Sequence, residues 1–262
     1  MARQVKTDTQ ELIAMIRAAS GDQLEQLVSR YGDDSRKSVR NALDRALHHQ
    51  QLQDNETERI NALYQRLDAA PTGACIVGID EVGRGALAGP LLVAAVAIPA
   101  QPRIDGLNDS KQLTPSQREQ TAQAVRNVAH EITFGRVEAD GIDRHGMSWA
   151  MREAVRQALS QLEADPDLVL LDGLPLHAHP RETAIVKGDG TEAAIAAASI
   201  MAKVTRDAWM VEIASEYPVY ELAANKGYSS AAHIAALRQY GPSAIHRKSF
   251  CQKILNPQLS LL

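Results

Sequence analysis

The sequence predicts an α/β domain with a mixed central sheet flanked by helices, behind a small all-α N-terminal extension and ahead of a helical C-terminal segment. Three observations carry this. Uninterrupted apolar runs read as buried strands, turn-rich links alternate them with helical stretches, and the first seventy residues contain no proline and favour helix.

In chain order, residues 1–70 read as short helices. Leu24, Leu27 and Val28, then Val39, Leu43 and Leu47, recur at the spacing of one buried helical face. Ten Lys/Arg against eleven Asp/Glu make this no basic arm. Pro71-Thr72-Gly73 marks the boundary with a second domain, 71–262. Cys75–Ile79 and Leu91–Ile98 then read as strands, joined by the glycine-rich link Gly83–Pro90. Thr114-Pro115-Ser116-Gln117 has a cap residue, proline at the first helical position and glutamine at the third, so a helix begins there. Ile132–Val137 is a strand and Trp149–Leu162 a helix. Leu168–Leu171 is a strand ending at Asp172-Gly173, and Ala184–Val186 a short strand before Gly188-Asp189-Gly190. The alanine-rich run Thr191–Glu216 is a long helix.

The 262 residues carry 28 Lys+Arg and 32 Asp+Glu, a net charge of −4, which gives no bulk reason to bind nucleic acid. With 45% apolar residues the chain is too hydrophobic for general disorder. The charge-free run Gly85–Pro102 is broken by Gly89, Pro90 and Pro99 and is too short in its apolar part for a membrane helix. Asp8 and Glu11 argue against a secretory signal, and Cys75 and Cys251 lack metal-site spacing, so a cytoplasmic protein with two reduced thiols is expected.

Chemistry is expected first at Asp80 and Glu81, two acids that either interrupt an otherwise apolar strand or lie past its end in a solvated turn. A carboxylate there is costly unless it is paired or holds a cation. Neighbouring strand residues face opposite ways, so the two converge only if the strand loosens, which Gly83 and Gly85 permit. The Gly83-Arg84-Gly85 spacing does not fit a dinucleotide-binding fingerprint, because a proline-led apolar strand follows instead of a helix. Close backbone approach to a phosphate or sugar suits it better. Asp172 closes a strand, although Asp-Gly is also a common turn. Asp207 follows Ala196, Ser199 and Lys203 at helical steps, and either faces the sheet or pairs with Lys203. Four scattered acids without a thiol or a histidine set suit Mg2+ or Mn2+ rather than Zn2+.

Six ordered motifs resemble bacterial ribonuclease HII: Ile79–Gly85, Asn108–Lys111, Leu171–Gly173, Lys187–Gly190, Ala198–Asp207 and Asn225–Tyr228. The resemblance spans about residues 74–250. It implies a ribonuclease H-like fold and metal-dependent cleavage of RNA in RNA/DNA hybrids and of DNA duplex containing ribonucleotides. It implies cutting on the 5′ side of a ribonucleotide, leaving 3′-hydroxyl and 5′-phosphate. Carried over residue by residue, it assigns Asp80, Glu81, Asp172 and Asp207 as catalytic metal ligands for two Mn2+ or Mg2+ ions, and Gly83, Arg84, Gly85 and Tyr228 as sensors of the 2′-hydroxyl. Ser110 and Lys111 match a loop near the substrate backbone. Asp189 reads as a helix cap and is not assigned to metal. Ser229-Ser230 stands where the family often has Gly-Thr, and residues 1–70 are absent from its short members. The alternatives are a DNA nuclease or recombinase of the same fold, or a non-catalytic duplex binder.

After Glu221 the chain has no acid, while Lys226, Arg238, Arg247, Lys248 and Lys253 give +5, which suits a phosphate-tracking face. The last five residues, Gln258–Leu262, resemble a sliding-clamp docking peptide. The resemblance further implies a monomer.

Overall fold

A computed structural model of the chain describes residues 8–255. They divide after Asn61 into two compact units.

The first unit holds helices α1 (Thr9–Ala18), α2 (Asp22–Tyr31) and most of α3 (Lys37–Asp68). Asp8 caps α1 by accepting the Gln10 N–H at 3.1 Å. Leu12, Ile16, Leu24, Val39 and Leu43 form its small core, on the face that the spacing of apolar residues predicts. The expectation of short helices is corrected by α3, which runs for 32 residues. No glycine or proline occurs between Gly32 and Pro71 to stop it. Its last turns belong to the second unit. There Arg66 grips Glu192 through two hydrogen bonds of 3.0 and 2.9 Å, and the Ile104 N–H donates to the Tyr64 hydroxyl at 3.1 Å. The compact-unit boundary therefore falls inside a helix, ahead of the Pro71 turn.

The second unit is built on a five-stranded sheet of β1 (Ile76–Val82), β2 (Leu91–Ala97), β3 (Glu131–Val137), β4 (Leu168–Asp172) and β5 (Glu182–Ile185), in the order β3-β2-β1-β4-β5. β1 pairs antiparallel with β2 and parallel with β4, so the sheet is mixed. Helices α4 (Pro115–Val128), α5 (Ala139–His145), α6 (Met147–Leu159) and α7 (Ala193–Ile213) accompany the sheet. The α4 start has the expected capping box between Thr114 and Gln117. Val77 and Ile79 pack with Ala154 and Val155 of α6, whereas alternation turns Gly78 and Asp80 to the opposite face, which α7 covers. Glycine is required at 78, because a Cβ would lie 2.0 Å from the backbone of Ala194. The C-terminal segment adds α8 (Leu222–Asn225), α9 (Ala231–Tyr240) and α10 (Lys248–Leu255) around Leu87, Met210, Tyr220 and Leu237. The expected clamp peptide, Gln258–Leu262, lies outside the described residues.

Candidate active site

β1 and β4 run side by side as far as the pair Ile79 and Leu171. The next residues, Asp80 and Asp172, therefore sit just where the parallel pairing stops, toward the carboxyl ends of the two strands, where α/β sheets present ligands. Asp80 is not in a loosened turn, since β1 stays paired with β2 through Val82. Asp80 is 5% exposed, and its carboxylate accepts the Glu81 N–H at 2.7 Å. Burial drives its pKa well above the usual carboxylate range; the charges of Glu81 and Asp172 add to this, and a hydrogen bond with Ser199 opposes it. Burial also raises Glu81, against the pull of Arg84, whose Nη1 is 3.5 Å from the Glu81 Oε1.

Asp172 accepts the Gly188 N–H at 2.7 Å, which draws the turn Gly188–Gly190 under the end of β4. Lys187 before it takes a left-handed φ of 60° and so reverses the chain. The turn delivers Asp189. Oxygen atoms of Asp80, Asp172 and Asp189 lie within 4.8 Å of one another, the one such carboxylate group among the described residues. Asp189 is no helix cap, because α7 begins after Glu192, whose side chain is committed to Arg66. Lys111 approaches Asp189 at 3.4 Å, and burial lifts the Asp189 pKa, with Asp109 and Asp172 contributing.

Asp207 does not join this group. It pairs with Lys203 one turn earlier on α7, at 2.9 Å. Of the ten expected site residues, the other nine line a single cleft of about 400 Å³, with Ser199 and Lys203. Asp189, rather than Asp207, stands with Asp80 and Asp172 in the carboxylate group. Glu81 borders the group from the same cleft.

Tyr228 lines the same cleft. Its hydroxyl accepts the Gly83 N–H at 3.2 Å. Gly83 has φ 86°, and a Cβ there would meet Arg206 at 2.3 Å, so this position needs glycine on both counts. Gly85 has open space around it, as an approach site requires. Ser110 is buried and its hydroxyl lies 3.0 Å from that of Ser199. Ser230 keeps its hydroxyl in use as the cap of α9.

Sequence reasoning missed Arg206 and misplaced Arg247. Arg247, expected on an exposed basic face, is wholly buried, with its guanidinium spent on the carbonyls of Gly89 and Arg84. Lys248 and Arg238 remain exposed. His233 and His246, expected as reserve charge, are buried and bonded to each other at 2.9 Å; burial pushes His246 down to about 4.

The hard oxygen donors at the strand ends fit a divalent ion. Among the described residues neither Asp80 nor Asp172 has a cationic side chain in ion-pair range, so their mutual repulsion is left for a bound cation to offset.

A ribonuclease HII family model matches residues 77–253. The chain belongs to the ribonuclease HII family. It is 44% identical over 187 residues to ribonuclease HII of Koribacter versatilis, covering 71% of this chain and 74% of that one. Against ribonuclease HII of Bacillus velezensis it is 38% identical over 231 residues, covering 87% and 91%. The ribonuclease H2 structure from Pyrococcus horikoshii OT3 superposes with a TM-score of 0.59 at 27% identity, covering 70% of this chain and 98% of that one. The ribonuclease HII of Archaeoglobus fulgidus, determined with PCNA, shares the fold at a TM-score of 0.57 and 24% identity, covering 66% and 93%. The chain is thus a ribonuclease H enzyme, an endoribonuclease acting on RNA/DNA, from a divalent-metal-dependent family. Among the described residues no helix is long and apolar enough to cross a membrane.

Proposed function

We propose that the chain cuts on the 5′ side of ribonucleotides, in RNA/DNA hybrids and in DNA duplex containing single ribonucleotides, and so begins ribonucleotide removal from DNA. The products are a 3′-hydroxyl and a 5′-phosphate. The convergence of Asp80, Asp172 and Asp189 within 4.8 Å carries this reading. Those three, with Glu81, would hold two Mn2+ or Mg2+ ions. Such ions supply an activated water and stabilise the leaving oxygen. Asp207, paired with Lys203, holds that lysine at the cleft wall instead.

The remaining work falls to the chain's own groups. Lys111, 77% exposed along its side chain, offers its ammonium to the phosphate beside the carboxylates, and Ser110 sets the loop that carries it. Gly83–Gly85 bring backbone close to the sugar, Arg84 reaches toward the backbone phosphates, and Tyr228 stands where a 2′-hydroxyl distinguishes RNA from DNA. We place this enzyme in the cytoplasm as a monomer.

The deciding experiment offers Mg2+ or Mn2+ and duplexes with zero, one or many ribonucleotides, beside Asp80→Asn. Cutting 5′ to the lone ribonucleotide is expected, with none by the variant. Cutting of the all-DNA duplex favours the DNA nuclease reading, and no cutting the duplex binder. A sliding clamp is a further proposed partner, supported by the Gln258–Leu262 peptide. Clamp pull-down should fail once those five residues are removed; equal recovery removes the idea.

A further inference from the structure

Between β1 and β2 the chain from Gly83 to Pro90 lies outside the sheet ladder, so its backbone groups must find partners elsewhere. Neighbouring loops meet part of the need. The Leu87 N–H donates to Gly227 O at 2.8 Å, the Gly89 N–H to Ile245 O at 2.9 Å, and Leu87 O accepts the Arg247 N–H at 2.8 Å. Four further carbonyls turn to two guanidinium groups. Arg206 donates Nε to Pro90 O at 2.9 Å and Nη2 to Ala88 O at 3.0 Å, and its Nη1 reaches Lys226 O at 2.8 Å. Arg247 donates Nε and Nη2 to Gly89 O at 3.2 and 2.9 Å, and Nη1 to Arg84 O at 3.0 Å.

Both arginines are buried, 1% and 0% exposed, and among the described residues neither is in ion-pair range of a carboxylate. Such burial is unfavourable for a cation without an anion. It depresses Arg247 to about 10 and lowers Arg206 as well. What a guanidinium alone offers is five donors in one rigid plane, enough to fix several carbonyls at set angles; lysine offers a single point.

The same groups hold Tyr228. Arg206 lies over its ring at 5.4 Å, and the Lys226 carbonyl that Arg206 grips is two residues away. From the other side Tyr228 O is bonded at 2.8 Å to His233, and His233 to His246, the residue before Arg247.

We propose that Arg206 and Arg247 are positioning residues for ribonucleotide recognition: without touching substrate, they fix Gly83–Gly85 and Tyr228 at the separation that reads a 2′-hydroxyl. This rests on the recognition role proposed above for that loop and Tyr228. The carboxylates stand on a different support, β1, β4 and the Gly188–Gly190 turn, so loss of the frame falls on selectivity before it falls on cleavage chemistry.

A double-mutant cycle tests it in the full chain with Arg247→Lys, Tyr228→Phe and both together. The readouts are kcat/KM on a duplex with one ribonucleotide, and the ratio of affinities for that duplex and its all-DNA counterpart. Arg247→Lys is expected to lower the affinity ratio at least about tenfold, as small misplacements of positioned groups do. Once Tyr228→Phe has removed the contact being positioned, the same change should cost less than about threefold. Arg206→Lys runs through the same cycle, and serves alone if Arg247→Lys does not fold. If Tyr228→Phe lowers the ratio while the arginine losses simply multiply with it, or are nil, the inference fails and the recognition reading stands. If Tyr228→Phe leaves the ratio unchanged, the recognition reading fails, and this inference with it.

Discussion

Asp189→Asn is expected to lower kcat by roughly a thousandfold or more, while Asp207→Asn stays within about tenfold of the parent. Substitution at 189 takes an anionic oxygen out of a group whose members lie within 4.8 Å of each other. An ion held there contributes several kcal/mol to charge stabilisation, and about 1.4 kcal/mol is a factor of ten. Substitution at 207 removes one side of a partly exposed pair with Lys203, the kind of interaction worth under about 1 kcal/mol. Single-turnover cleavage of a duplex with one ribonucleotide, with circular dichroism to verify the fold, separates the two. The reverse order of losses would return the ion to Asp207.

Gly78→Ala should destabilise the protein by about 3 kcal/mol or more, beyond the usual cost of a surface change. Its Cβ would stand 2.0 Å from the Ala194 carbonyl carbon, 2.2 Å from its oxygen and 2.4 Å from the Ile195 nitrogen, all backbone that no rotamer change can move aside. The helix must retreat from the strand instead. The approach is this close because Ala193, Ala194, Ala196, Ala197 and Ala198 of α7 are all buried and carry only methyl groups. At roughly 2–4 °C per kcal/mol for a domain of this size, calorimetry should show a melting temperature about 6–12 °C lower. A shift under about 2 °C would show that α7 slides without cost. Ser199 sits on the same helix and bonds Ser110, so the retreat should also disturb the cleft.

The strands and α7 were readable because their signals are local: unbroken apolar runs, the Thr114 capping box, a dense alanine stretch. Asp80 and Asp172 were readable for a similar reason, since acids ending apolar strands need an explanation. Asp189 was not. It lies between two glycines, a setting that reads as a turn, and only the Asp172 bond to Gly188 turns it into the site. The pairing of Asp207 with Lys203, one of two orientations left open, was not decidable because helical spacing cannot tell which way a residue at the edge of a buried face will turn. Arg247 next to Lys248 looks like surface charge; its burial depends on carbonyls of a loop 158 and 163 residues earlier in the chain. The length of α3 was misread as short helices although breakers are missing from 33 to 70, and its division between two units was not legible, because packing partners decide that.

The 163 residues between Arg84 and Arg247 also have a meaning in time. A ribosome adding about 5–20 residues per second needs roughly 8–30 s to travel that stretch. Throughout it, Asp80, Asp172 and then Asp189 emerge before the side chain that ties down the loop beside them. During translation, then, the carboxylate group is complete in the chain before its neighbouring loop is tied down, and a polypeptide halted short of residue 247 would carry those acids without the guanidinium that holds the Arg84 and Gly89 carbonyls.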